Sequence, residues 1–135
     1  MDERDRLRDL SQRLLRLHKI LLDRERRAYE WDHGAIPSAT LLRLLLQDEH
    51  FAWLRVLSGL IAQIDEAVDV EEAIGPEGAQ RAFDEAYRLL RSGGDGEFQD
   101  LYRLALQASP EVVMAHADVT RVLPPPPAPP ASDRT

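Results

Sequence analysis

The residues best placed to do chemistry in this chain are polar groups set into an apolar helical stripe. Leu7, Leu10, Leu14, Leu17, Leu21 and Ala28 recur at three- and four-residue steps, with Leu15 and Leu22 widening the stripe, which predicts a long amphipathic helix. At about 100° per residue, His18, Glu25, Tyr29 and Asp32 fall in the sector of Leu14, Leu21 and Leu22. Arg13, Arg16, Lys19, Asp23, Arg26, Arg27 and Glu30 fall outside it, so the four are exceptions on a well-sorted helix.

Farther along, Glu49 and His50 flank the face of Trp53 and Leu57 if the helix is continuous from Ser38. An antiparallel return about residue 35 brings positions 18 to 25 level with positions 46 to 53. His18, Glu25, Glu49 and His50 then converge, and two imidazoles with two carboxylates suit a divalent metal. Alternatively His18, Glu25, Tyr29 and Trp53 line a small-ligand pocket, a few polar groups in an apolar wall. Against a metal, the paired Glu-x-x-His spacings of di-iron bundles and the His-Glu-x-x-His zinc signature are both missing. The preferred reading is structural, with His18, Glu25 and Tyr29 satisfying one another or backbone groups and fixing helix register. No cofactor is expected beyond the divalent ion that the cluster would admit.

Other chemistries lack their motifs. Ser11, Ser38, Ser58 and Ser92 have no nucleophile elbow, and Ser92-Gly93-Gly94-Asp95-Gly96 lacks the lysine and preceding strand of a phosphate loop. His33, beside Gly34, reads as a charge-matched helix end, and His116 is given no role. Cysteine is absent, which removes disulfides, thiolate nucleophiles and sulfur-ligated metals. The expectation is a protein that is not an enzyme.

Helices must position these groups. The first should stop near Gly34, with Pro37 beyond it. Ser38 is a candidate N-cap for a stretch over 38–69 that is either one helix or is broken at Asp48, with Trp53, Val56, Leu57, Leu60, Ile61, Ile64, Ala67 and Val68 on its core face. Gly75-Pro76 starts a third helix bearing Phe83, Ala86, Tyr87 and Leu90, which ends at Gly93-Gly94. Asp95 caps a fourth with Phe98, Leu101, Tyr102 and Ala105, and Ser109-Pro110 opens a short last helix through Val119. The expected fold is all-α: a four-helix up-and-down bundle over residues 1–123 with a short extra C-terminal helix. A disordered proline-rich tail over 124–135 should be extended and serve as linker or ligand.

A length of 135 residues suits one core, with 44% hydrophobic and 30% charged residues. The net charge of −7 argues against nucleic acid as a partner, since phosphate neutralisation supplies most of that affinity. No apolar run approaches membrane-spanning length, and the charged start Asp2-Glu3-Arg4-Asp5 is unlike a signal peptide, so no membrane association and a cytoplasmic location are expected.

Leu17-His18-Lys19 through Tyr29-Glu30, then Phe51-Ala52-Trp53-Leu54-Arg55 and Ile64-Asp65-Glu66, resemble a group of short, uncharacterised bacterial helical proteins. The resemblance covers about the first half of the chain and implies a helical fold but no activity. Sixteen arginines against one lysine fit a GC-rich bacterial source. The function expected is a non-enzymatic helical interaction or regulatory module that binds a protein partner or itself, as a homodimer. The alternative is a metal- or small-ligand-binding bundle built on the interior His/Glu/Tyr cluster.

Overall fold

A computed structural model describes residues 2–70, 75–91 and 96–123, and all regular structure among them is helical. The helices are α1 (Glu3–His33), α2 (Ser38–Gln47), α3 (Leu54–Asp69), α4 (Pro76–Leu90), α5 (Glu97–Ala108) and α6 (Pro110–Thr120), with one 3-10 turn, Glu49–Phe51, between α2 and α3. The all-helical expectation is met. The proline-rich tail, the expected Asp95 cap and the Gly93-Gly94 stop lie outside the described residues.

The leucine periodicity of α1 explains why it forms and what it does. Leu7, Leu10, Leu14, Leu17 and Leu21 are fully buried, and the helix serves as the hub on which α3, α6 and α4 pack. At its start the Asp2 carboxylate accepts the Asp5 N–H at 2.8 Å, satisfying one donor that the first turn leaves over. At its end Gly34 takes φ +82° and ψ 171°, a conformation open to glycine, and its N–H bonds the Glu30 carbonyl. Arg26 Nη2 then donates to Ile36 O at 2.5 Å, and the Glu30 carboxylate accepts the Ile36 N–H at 2.8 Å, so the turn into α2 is held from α1.

Asp48 divides the stretch from 38 to 69, which the sequence alone left as one helix or two. Its extended backbone ends α2, and its carboxylate accepts the His50 N–H at 2.8 Å, capping the 3-10 turn instead of continuing the ladder. Two local expectations are corrected. Pro37, not Ser38, occupies the N-cap position of α2, with no side-chain cap. Val56 is exposed rather than in the core, because on α3 it sits about 100° round from Leu57, at the edge of the sector that Leu57, Ile61, Ile64 and Val68 fill. Trp53, Leu57, Leu60, Ile61, Ile64 and Val68 are buried as expected, and Phe51 joins them.

α3 runs antiparallel to α1: Ser11 Oγ donates to Asp65 Oδ1 at 2.5 Å near one end, while Trp53 lies beside Glu25 toward the other. α6 also returns along α1. Ser109 caps it by accepting the Val112 N–H, as its sequence suggested, and Asp118 near its end receives Arg13 at 3.0 Å and Arg16 at 3.3 Å. Arg13 additionally donates to the Asp118 carbonyl at 2.8 Å. α4 meets α1 where the Arg6 guanidinium lies 4.8 Å over the ring of Phe83.

Trp53 is 5% exposed, tilts against Phe98 with ring centroids 5.4 Å apart, and reaches Glu25, so it joins α3 to both α5 and α1. Trp53→Ala should cost about 3 to 5 kcal/mol in denaturant melts. A loss below about 1 kcal/mol would show that the ring carries little of this packing.

Candidate functional site

Ser11, His18 and Glu25 lie seven residues apart on α1, so they form one polar line down the side that meets α3. Each meets a different fate. Ser11 is paired with Asp65, as described above. Glu25 is half-buried, and its carboxylate accepts from His50 Nε2 at 2.8 Å and from the Trp53 indole. His50 Nε2 also lies 3.2 Å from the Glu25 carbonyl oxygen, so the ring donates to the side chain and backbone of one residue. His18, between them, is 7% exposed, and its Nε2 has no hydrogen-bond partner among the described residues.

The surroundings of the Glu25–His50 pair are aromatic. Phe51 lies 4.9 Å from His50 between ring centroids, and Tyr29 stands edge-on to His50 at 5.7 Å. His33 stacks on Tyr29 at 4.0 Å and donates from Nδ1 to the Tyr29 carbonyl at 3.0 Å, which joins the helix-end role expected of it to a ring contact. The 3-10 turn makes this possible: Asp48 fixes the His50 backbone, and Arg55 Nη2 donates to the Asp48 carbonyl at 2.8 Å.

Burial sets the electrostatics. Desolvation raises the Glu25 carboxyl above its ordinary value, opposed by the charges of His50 and Arg24 and by hydrogen bonds from His50 and Trp53. Desolvation alone pulls His18 below its ordinary 6.5, so the ring is held neutral. A second buried pair lies elsewhere: the Tyr102 hydroxyl stands 2.6 Å from His116 Nδ1, with the phenol raised and the imidazole lowered, in both cases chiefly by burial. His116, given no role from sequence, is thus packed and bonded.

Of the four residues expected to converge on a metal, Glu25 and His50 meet. His18 lies about 10 Å up the helix axis from Glu25, two turns away, which is too far to share an ion. Glu49 is exposed on the 3-10 turn. Among the described residues no group of three or more His, Cys, Asp or Glu side chains is arranged to hold a metal. Of the four expected to line a ligand pocket, Glu25 and Tyr29 meet His50, Trp53 bonds Glu25, and His18 stands apart, while Asp32 of the same stripe is exposed. Sequence reasoning missed Ser11 and Asp65. The seven-residue spacing of Ser11, His18 and Glu25 was the available signal.

Comparison with family models, with curated proteins and with solved structures finds no match to this chain.

The buried imidazole carries a pH signature. With its folded-state pKa below 6.5, His18 contributes stability that is fully present above pH 6.5 and is lost as pH falls from there through the folded value. Glu25 has the opposite sign: its raised pKa favours the folded state below about pH 4.5, and that contribution is lost as pH rises through the folded value. Independently of pH linkage, His18→Leu should stabilise the protein by about 1 to 3 kcal/mol at neutral pH, because it replaces a buried polar group without a partner by an apolar one. It should also reduce the loss on moving from pH 7.5 to pH 5.5 in urea melts. Some loss will remain, since His116 titrates in the same direction. An unchanged pH dependence would show that His18 is not the group responsible.

Proposed function

We propose that the chain is a non-enzymatic helical interaction module, an up-and-down bundle built around α1 that self-associates as a homodimer or receives one protein partner in the cytoplasm. The observation that carries this reading is the outer face of α2. Its sequence, Ser-Ala-Thr-Leu-Leu-Arg-Leu-Leu-Leu-Gln, sets Thr40, Arg43 and Gln47 on one side and five leucines around the rest, a wide apolar arc. Only Leu41 is buried. Leu44 and Leu45 are half-buried, whereas Leu42 and Leu46, one turn apart, are each 59% exposed.

Such a pair is worth more covered than open, and Arg43 is the sole charge on the helix. Trp31, 89% exposed in the last two turns of α1, is a further large apolar side chain on the surface. The proline-rich stretch 124–130 would act as tether or recognition segment.

A second reading rests on the Glu25–His50 pair. A half-open carboxylate and imidazole beside Tyr29 and Trp53 favour a small polar ligand over a metal, since a lone Glu–His pair leaves most of an ion's coordination to water. Elemental analysis of protein purified without added metal separates the two, a bound ion lost in His50→Ala favouring the metal.

The interaction reading is tested by sedimentation velocity on the full chain. The wild type should dimerise, and Leu42→Glu with Leu46→Glu should give a monomer with unchanged helicity by circular dichroism. A wild type that is strictly monomeric and retains no protein in a pull-down removes the reading.

A further inference from the structure

α6 has its polar and apolar sides in an unusual arrangement. Val112, Ala115 and Val119 are buried and mark its inner face. At about 100° per residue the opposite side holds Pro110, Val113, Met114 and Ala117, at i, i+3, i+4 and i+7, all of them exposed. Met114 is 73% exposed, and half-buried Ile20 of α1 lies beside it, so the apolar face continues across that seam. A surface helix ordinarily turns its polar residues outward. Here they lie to the two sides: Asp118 holds Arg13 and Arg16 in the seam with α1, and His116 holds the Tyr102 hydroxyl in the seam with α5.

The course of the chain beyond α6 points to what covers this face. The helix closes in a turn, with the Val122 and Leu123 N–H groups donating to the carbonyls of Val119 and Thr120 at 3.1 and 3.3 Å, and Leu123 is pinned in the core. Arg121, two positions earlier, is the last residue on the outer side. Residues 124–130 are then six prolines and Ala128. In the extended polyproline II form that a proline run favours, this stretch reaches about 22 Å, against about 16 Å for the 11 residues of α6. It is long enough to turn back and cover the helix from end to end.

The order of residues within the run agrees. Three residues make one turn of that form, so Pro124, Pro127 and Pro130 share one edge, Pro126 and Pro129 a second, and Pro125 and Ala128 the third. Two edges are all proline, and the one smaller residue falls on the edge left for water. The side chains of Pro110, Val113, Met114 and Ala117 carry no N–H or O–H donor, which suits proline rings that pack without hydrogen bonds. Those rings are ordered before they dock, so little freedom is lost. A run tethered this close is present at the face at about millimolar effective concentration, ahead of a second copy in dilute solution.

We propose that residues 124–130 fold back along the outer face of α6, antiparallel to it, with prolines over Val113, Met114 and Ala117 and with Ala128 outward, level with Met114. Neither the α2 face nor the Glu25–His50 pair takes part, so this docking stands or falls apart from the dimer. One consequence does rest on the proline stretch being a recognition segment: a protein that binds it must first lift it from α6, and the fold holds it back until then.

The test uses the full chain, which has two methionines, Met1 and Met114, and no cysteine. Ala128→Cys therefore gives a single site for a nitroxide, and methyl-labelled methionine gives two signals to read. The Met114 methyl should lose most of its intensity to the nitroxide, while Met1, which precedes α1 in the direction a straight run from α6 would take, keeps its own. Ala117→Glu sets a charge in the face and should restore the Met114 signal without loss of helicity, since glutamate is a good helix former. If that variant does not fold, Val113→Lys is measured instead and should restore the signal as well. Equal loss at both methionines, or a Met114 loss that survives either face variant, would overturn the proposal. So would a Met114 loss that passes to methyl-labelled chains without nitroxide when the two are mixed, because the tail would then lie on a second copy.

Discussion

Burial of one leucine line organises the whole protein. Leu7, Leu10, Leu14, Leu17 and Leu21 are withdrawn from water along about 21 Å of α1, and three helices pack on that helix. Each such side chain is worth about 1.5 to 3 kcal/mol when fully buried, so the five together make an apolar surface that the fold must enclose. α3, α4 and α6 are arranged as its cover. The positions of the polar groups then follow, because whatever lies on α1 beside that stripe is carried into the seams.

The seam with α3 shows three ways of treating a polar group there. Ser11 finds a carboxylate, Glu25 finds an imidazole and an indole, and His18 finds nothing for one ring nitrogen. A seam of this kind selects register, since sliding α3 by one residue along α1 would separate Ser11 from Asp65 and Glu25 from Trp53 together.

How much was legible in the sequence depended on the range of the interaction. The α1 stripe, the break at Gly34-Pro37 and the Ser109-Pro110 start are local signals, and the helices follow them. The antiparallel return of the chain that puts Glu25 beside His50 follows from a short turn and two helices. Asp48 was ambiguous because an aspartate can cap or continue a helix, and tertiary packing decides. Val56 lies at the margin of the apolar sector of α3, where a wheel does not say on which side of the boundary packing will fall. The Ser11–Asp65 bond and the Tyr102–His116 pair depend on partners in space, for which spacing along one helix gives no signal.

The clasp of Arg13 and Arg16 on Asp118 has a kinetic side. It joins residues more than a hundred positions apart, 105 for Arg13, so it forms only after nearly the whole chain has closed into a loop. During synthesis α1 emerges first and its covers follow, α6 among the last of them. For that interval the leucine stripe is open to solvent and to other nascent chains. The leucine stripe is therefore made before any of its covers, partly closed when α3 arrives and sealed only with α6.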